Sequence, residues 1–326
     1  MANYGIPYQG SKQNICDEII RVFPKADNFY DLFGGGFSIT HAMLLRRPSD
    51  YKSFHFNEIR PSICDLIKSA IAGNFNYDKF KPPFVSRDEF FAKHESDPYI
   101  KMIWSFGNNG KDYLFSKEIE PYKKSMHAAI VFNNFDELAR SMLGMASFRE
   151  EYTITQRRLF LRNRIEFYRV TKVPDFLHRF LKEDQLQQLK QLERLEQLRQ
   201  LEQLQQLQQL EQLQQLEQLQ QLQQLHFYNK SYEQVAIKDN SVIYCDPPYR
   251  DTKRYDHRVF DHDRFLDWCA IQKSAVFISE YNITDTRFKM VFSIGKRSLA
   301  CGAVLGKASA IEKIYANQAA IQLIKK

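Results

Sequence analysis

The chain has 326 residues, 44% of them hydrophobic and 14% aromatic, so it can form one large domain or two modest ones around a substantial core. Its formal net charge is +7, which suits a polyanionic partner but is also common in proteins that never bind nucleic acid. The five cysteines are scattered without a Cys-x-x-Cys pair, which argues against a zinc site or a disulfide framework. Because no apolar stretch approaches membrane-spanning length, we expect no membrane association and a cytoplasmic location.

The first elements along the chain alternate strands with helices. Residues 28–34, "NFYDLFG", predict a strand that enters a glycine turn, and "GGGFSITHAMLLRR" predicts the helix after it. Residues 53–59, "SFHFNEI", predict a second short strand, and "PSICDLIKSAIAG" predicts a helix with Pro61 in its first turn. This order predicts an α/β fold with a doubly wound, Rossmann-like sheet, whose cofactor-binding part we assign to residues 1–75.

The next segment, residues 76–180, has a different pattern. Aromatic and basic residues interleave there without a clear alternation of strands and helices, for example in "KMIWSFGNNGKDYLF" and "TITQRRLFLRNR". We interpret this segment as an inserted domain that recognises the target.

Residues 185–225 form a low-complexity repeat with leucine at every third position from Leu186 to Leu225. Leucine, glutamine and glutamate are strong helix formers, so a long helix is expected. Three residues fall about 60° short of a helical turn, so the leucine row winds around an α-helix and does not make a coiled-coil seam. The repeat is either a length-tolerant spacer or a helix that meets a partner, and we assign no chemistry to it.

The sheet pattern returns in residues 226–326, the predicted catalytic part of the same domain. "VIYCD" (242–246) and "AVFIS" (275–279) are continuous apolar runs, which are typical of strands covered on both faces. "HDRFLDWCAIQK" between them predicts a helix.

The glycine turn "DLFGGGFS", residues 31–38, is a candidate cofactor site. Glycines let the backbone turn tightly and approach a ligand, and the helix that follows offers its N-terminus. Glu58 ends the second predicted strand, where a carboxylate can accept hydrogen bonds from ribose hydroxyls. The same residues also fit a turn that merely closes a strand-helix corner.

A stronger indication of a functional site is the motif Asp246-Pro247-Pro248-Tyr249, which directly follows a predicted buried strand. The strand delivers Asp246 to the carboxyl edge of the sheet, where open α/β folds bind ligands. A carboxylate and a proline carbonyl can together accept both protons of an exocyclic amine, and Tyr249 offers a ring on which a base can stack. The alternative is a turn that only ends the strand.

Four motifs together resemble the Dam-like group of N6-adenine DNA methyltransferases. "CDPPY" (245–249) resembles their catalytic motif, "DLFGGGFS" their S-adenosylmethionine motif, "YQGSK" (8–12) their N-terminal cofactor motif and "FNEI" (56–59) their acidic motif. They follow one another in that group's order, with the inserted recognition domain, residues 76–180, before the Asp-Pro-Pro-Tyr motif. The resemblance implies an S-adenosylmethionine-dependent enzyme that methylates a flipped-out adenine of double-stranded DNA.

The resemblance also implies a role for each matching residue. The catalytic positions are Asp246, Pro247, Pro248 and Tyr249. The cofactor-binding positions are Tyr8, Lys12, Asp31, Phe33, Gly34, Gly36, Glu58 and Asp246. Lys12 is expected near the methionine moiety or the catalytic loop, and Glu58 at the ribose.

DNA contacts are expected in the inserted segment. "WSFGNNGKDYLF" (104–115) resembles the group's aromatic, asparagine and glycine segment near DNA, and arginines contact phosphates or guanine edges. The candidate DNA-binding residues are Asn108, Asn109, Lys111, Arg157, Arg158, Arg162 and Arg164. Many such residues simply solvate a helix face, and this alternative stays open.

No metal is expected, because an amine can attack a sulfonium methyl directly. The competing hypotheses are methylation of RNA adenine or of cytosine N4 by the same fold, and a non-catalytic relative that binds DNA or a partner. A companion restriction endonuclease and self-association through the repeat both remain open.

Overall fold

The computed structural model describes residues 4–76, 80–161, 205–219, 224–249, 260–296 and 310–324. The chain divides into two compact units. The first, the sheet unit, comprises residues 1–73 and 212–326, and the second, the helical unit, comprises residues 74–211.

The sheet unit is built on a seven-stranded, mostly parallel sheet in the order β3-β2-β1-β4-β5-β7-β6. The first five strands in that order run parallel, and β7 is antiparallel to both β5 and β6. The strands are β1 (Asn28–Asp31), β2 (Ser53–Asn57), β3 (Leu225–Tyr228), β4 (Ser241–Cys245), β5 (Ala275–Glu280), β6 (Lys289–Lys296) and β7 (Ala310–Ala316). The predicted α/β class and mostly parallel sheet are confirmed.

The parallel register brings the ends of three strands to one edge of the sheet. Asp31, the last residue of β1, pairs with Phe56 of β2 and with Tyr244 of β4. Every residue of β1, β4 and β5 is buried, as the continuous apolar runs predict for strands covered on both faces. Glu58 and Asp246 therefore follow β2 and β4 close to the end of β1.

The helices of the sheet unit cover the sheet and begin at recognisable signals. Pro61 stands in the first turn of one helix, and the Asp261 carboxylate accepts a hydrogen bond from Arg264 N at 3.0 Å to cap another. The helices are Cys16–Ile20, Ser38–Arg46, Pro61–Ile71, His262–Ile271 and Gln318–Ile324.

The helical unit has its own core, which includes Phe135, Phe148 and Leu161. Its helices are Arg87–Lys93, Pro98–Ile103, Glu120–Phe132, Glu137–Leu143 and residues 154–161. Serine or aspartate begins three of them: Ser86 Oγ accepts from Glu89 N at 3.2 Å, Asp97 Oδ1 accepts from Tyr99 N at 2.9 Å, and Asp136 Oδ1 accepts from Ala139 N at 2.7 Å. That this unit recognises the target stays a prediction.

The leucine repeat is described over residues 205–219, and its part before residue 205 lies outside the described residues. It forms an α-helix from Gln205 to Gln215 and then a 3₁₀ turn from Leu216 to Leu219. A 3₁₀ helix has three residues per turn, so this change of pitch keeps every third side chain on one face. The four leucines Leu210, Leu213, Leu216 and Leu219 are all buried.

The repeat is therefore continuous with the sheet unit at its end and is not wholly a spacer. Leu225, the last leucine of the repeat, is the first residue of β3. This strand was not predicted from the repetitive sequence. Gln218 also lies against His41, with their Nε2 atoms 3.3 Å apart. Across the described part of the chain, no helix is both long and apolar enough to span a membrane.

Candidate active site

The glycine turn after β1 is packed against two aromatic rings. Gly34 N donates to Asn57 O at 2.9 Å, and a Cβ on Gly34 would lie 2.0 Å from the Phe56 ring. A Cβ on Gly36 would lie 2.5 Å from Tyr8 Cβ. These two glycines are thus required by the packing of the turn itself, and their approach to a cofactor remains a prediction.

Glu58 closes this turn from the end of β2. Its Oε2 accepts a hydrogen bond from Gly35 N at 3.0 Å, and its Oε1 accepts from Arg60 N at 3.1 Å and from Arg60 Nε at 2.7 Å. The Arg60 guanidinium lies 5.1 Å from the centre of the Tyr8 ring. Burial raises the pKa of Glu58 to about 7, although the backbone hydrogen bonds from Arg60 and Gly35 oppose this shift.

Asp31 is buried beside the turn and only half satisfied. Thr40 Oγ1 donates to Asp31 Oδ2 at 2.8 Å, whereas Asp31 Oδ1 has no hydrogen-bond partner among the described residues. Burial raises the pKa of Asp31 to about 7, and the nearby carboxylates of Asp246 and Glu58 add to this effect. Phe33, in contrast, packs its ring against Tyr232 and Phe260.

These residues fit a nucleoside-containing cation such as S-adenosylmethionine. Asp31 Oδ1 is a buried acceptor in need of a donor, and Glu58 places a second carboxylate at the end of the neighbouring strand. Both groups offer acceptor oxygens to the amino group and the ribose hydroxyls of such a ligand.

Asp246 is held by Lys12 in an ion pair that the sequence did not predict in this form. Lys12 Nζ donates to Asp246 Oδ1 at 2.8 Å and to Oδ2 at 2.7 Å, and the Asp246 side chain is 20% exposed. Burial and the nearby Glu312 raise the pKa of Asp246, while the Lys12 ammonium opposes the shift. Burial lowers the pKa of Lys12, but the Asp246 and Glu312 carboxylates outweigh it, so that pKa lies above its usual range.

Tyr249 stands beside this ion pair. Its phenol donates a hydrogen bond to Glu312 Oε1, its ring meets Tyr281 edge to face at 4.6 Å, and Lys12 Nζ lies 4.9 Å from the ring centre. Burial and the two carboxylates raise the pKa of Tyr249 above its ordinary value, so the phenol stays neutral.

The two prolines differ in their surroundings. Pro247 lines an open cleft of about 490 Å³ together with His262, Glu280 and other residues, whereas Asp246 and Tyr249 are not among the residues that line it. Pro248 is exposed, and its carbonyl accepts a hydrogen bond from His262 Nε2 at 2.8 Å. The carbonyl of Pro248 therefore already has a partner in His262.

The predicted DNA-binding residues are mostly engaged within the helical unit. Asn108 Nδ2 donates to Met102 O at 2.8 Å, and Asn109 Oδ1 accepts from the backbone N atoms of Lys111 and Asp112 at 2.8 and 3.0 Å. Lys111 is exposed.

The arginines of this set also have partners. Arg157 Nη1 donates to Ile130 O at 3.2 Å, at the end of helix Glu120–Phe132, and Arg158 forms an ion pair with Glu211. Arg162 and Arg164 lie outside the described residues. The described arginines thus have structural partners, so a role for them at DNA stays a prediction.

No group of three or more histidine, cysteine, aspartate or glutamate side chains is placed to hold a metal within the described ranges.

Three members of this site were not predicted from the sequence: Glu312, Arg60 and His262. Glu312 is 1% exposed and stands on β7, two residues before the buried Ile314. A carboxylate on the inward face of an apolar strand is costly unless it has partners, and this pattern could have identified it. Arg60 and His262 have no comparable signal, because exposed arginines and histidines near helix starts are common.

The mostly parallel seven-stranded sheet fits a Rossmann-like methyltransferase, with an acidic site at the carboxyl ends of β1, β2 and β4. Residues 8–145 match the family model of the D12 class N6 adenine-specific DNA methyltransferases, which confirms the resemblance to Dam-like adenine methyltransferases in this part of the chain. This family implies methylation of DNA adenine at N6 with S-adenosylmethionine as methyl donor. The match ends before the leucine repeat and before the Asp246–Tyr249 motif. No curated protein matches the chain.

Proposed function

We propose that the protein methylates N6 of a specific adenine in double-stranded DNA, by direct transfer from S-adenosylmethionine to an adenine flipped out of the duplex. The observation that carries this proposal is Asp246, an acceptor-only carboxylate at the edge of the sheet, already paired with an ammonium group at 2.7 and 2.8 Å. A site that binds the N–H groups of a lysine this way can also bind those of an adenine amino group.

The amino group of the target would replace Lys12 on Asp246, with the Pro247 carbonyl as the second acceptor. Asp246 would then stabilise the positive charge that develops on the amine, and the methylated ammonium would lose its proton afterwards. The contribution of the chain is placement and electrostatics. Flipping the base out of the duplex would cost a few kcal/mol, which the stacking surface of Tyr249 would partly offset.

Asp31, Glu58 and the glycine turn would hold the cofactor, which supplies an electrophilic methyl group when bound. Glu58 would accept the ribose hydroxyls at the oxygens that now accept from Gly35 and Arg60. Asp31 Oδ1, buried without a partner among the described residues, would accept from the cofactor's amino group.

The test is to incubate the protein with tritiated S-adenosylmethionine and equal masses of unmethylated plasmid DNA and RNA, then identify the labelled nucleoside by mass spectrometry. We expect label in N6-methyladenine of DNA. Label in N4-methylcytosine or in RNA alone would replace the proposal with one of its competitors, and no label in any product would favour the non-catalytic relative.

A further inference from the structure

Glu312 is a second buried carboxylate within reach of the lysine that holds Asp246. Its Oε1 lies 3.8 Å from Lys12 Nζ and accepts from the Tyr249 phenol, while its Oε2 is buried without a hydrogen-bond partner in the described part of the chain. Lys12 thus lies between two acceptors, one at 2.7 Å and one 3.8 Å away.

If the protein has the proposed function, substrate binding removes Lys12 from its present acceptor. The adenine amino group needs the carboxylate of Asp246, so Lys12 must leave it. The Lys12 side chain is only 6% exposed, and a buried ammonium without an acceptor would be strongly unfavourable. Lys12 therefore needs a second acceptor inside the site.

We propose that Glu312 is a positioning residue that receives Lys12 when the substrate amine takes its place on Asp246. A movement on the order of 1 Å would bring Nζ from its present distance to Glu312 into ordinary hydrogen-bond range. The Tyr249 phenol bound to Oε1 keeps the carboxylate turned toward Lys12. The inference rests on the proposed function, because it concerns the amine that competes for Asp246.

The charge balance of the cluster agrees with this role. Asp246 and Glu312 carry two negative charges against the one positive charge of Lys12, so Lys12 can move between them while one acceptor stays free for the substrate. With a neutral residue at position 312, Lys12 would remain on Asp246 and compete with the amine.

The test compares Glu312→Gln, which keeps the shape but removes the charge, with Glu312→Asp, which keeps the charge but shortens the side chain. We expect Glu312→Gln to lower kcat/KM for DNA roughly tenfold or more, because the second acceptor for Lys12 loses its charge and charge-assisted hydrogen bonds are the stronger ones. Glu312→Asp should lose clearly less. The affinity for S-adenosylmethionine, measured by calorimetry, should change less than about twofold in both, because Lys12 leaves Asp246 only for the substrate amine.

Several outcomes would overturn the proposal. One is equal kcat/KM for the Gln variant and the wild type. Another is a larger loss of kcat/KM in the Asp variant than in the Gln variant. The third is a loss of cofactor affinity in the Gln variant as large as its loss of kcat/KM. A wild type that binds cofactor but methylates nothing would instead refute the proposed function, and calorimetry on the Gln variant would still test whether Glu312 acts on the cofactor.

Discussion

Glu58 and Asp31 show how burial tunes single residues in this site. Each carboxyl group has a pKa of about 7 because it is removed from water at the carboxyl edge of the sheet. Both groups therefore change charge near neutral pH, with opposite consequences for binding and for stability.

The affinity for S-adenosylmethionine should fall as the pH falls through about 7. In the proposed function, deprotonated Glu58 would accept hydrogen bonds from both ribose hydroxyls of the cofactor, and protonation would remove part of that capacity. Below the pKa of about 7, the deprotonated fraction falls roughly tenfold per pH unit. Calorimetric titrations between about pH 6 and 8.5 measure this dependence. A Glu58→Gln control should bind S-adenosylmethionine more weakly, and its affinity should depend less on pH. A wild-type affinity that depends as little on pH as that of the control would contradict the assignment of Glu58 to the ribose.

Asp31→Asn should stabilise the protein at pH 8 while weakening cofactor binding. The folded-state pKa of about 7 lies above the value of about 3.9 in an unfolded chain, so the free energy of unfolding falls as the pH rises between them. The shift of roughly three units sets a ceiling of about 4 kcal/mol on the gain. Urea denaturation at pH 8 measures it, with Asp239→Asn at an exposed position as a control for the loss of charge. A destabilised Asp31→Asn protein would contradict the assignment of a raised pKa to Asp31.

At the scale of elements, the end of the leucine repeat is a structural part of the sheet unit. Leu216→Ala should lower the free energy of unfolding by about 2–5 kcal/mol, because the side chain is fully buried. Gln215→Ala is the matched control, since Gln215 is exposed in the same segment and should change stability by less than about 0.5 kcal/mol. Equal melting curves for the two variants would show that the leucines do not stabilise the fold.

Deleting whole leucine triplets before residue 205 is a separate experiment. The glycine turn and Glu58 lie far from that stretch in sequence, so we expect S-adenosylmethionine affinity to remain unchanged. Calorimetry on a chain without residues 187–195 measures this. A lost affinity in a deletion variant that still melts like the wild type would contradict it.

We expect the loop around Lys111, in the helical unit, to contact DNA. Gly107, Asn108 and Gly110 adopt positive φ, Phe106 is 55% exposed, and the amides of the two asparagines stabilise the loop. Lys111→Ala should reduce the slope of log affinity against log salt by about one, the value for a single phosphate contact. Fluorescence anisotropy with duplex DNA measures the slope; an unchanged slope would remove Lys111 from the interface.

Sequence reasoning predicted the sheet class and the position of the acidic site because those signals are local. The apolar run directly before Asp246 indicates a buried strand that ends there, and the strand before Gly34 and Gly36 indicates a turn at its end. Neither indication needs a residue from elsewhere in the chain. The partners of Asp246 are not local: Lys12 is 234 positions away and Glu312 is on a late antiparallel strand. The strand β3 was missed for another reason, because its first residue, Leu225, continues a repeat whose helical propensity hides it.

At the scale of the whole molecule, the account depends on Asp246 accepting the amine that receives the methyl group. The most direct measurement is the single-turnover rate of methyl transfer to unmethylated DNA by the wild type and by Asp246→Asn, with cofactor affinity measured in parallel. We predict that the wild type forms N6-methyladenine and that the variant binds S-adenosylmethionine but transfers the methyl group roughly 10²–10³-fold more slowly. A variant that forms the same product at the wild-type rate would contradict the account.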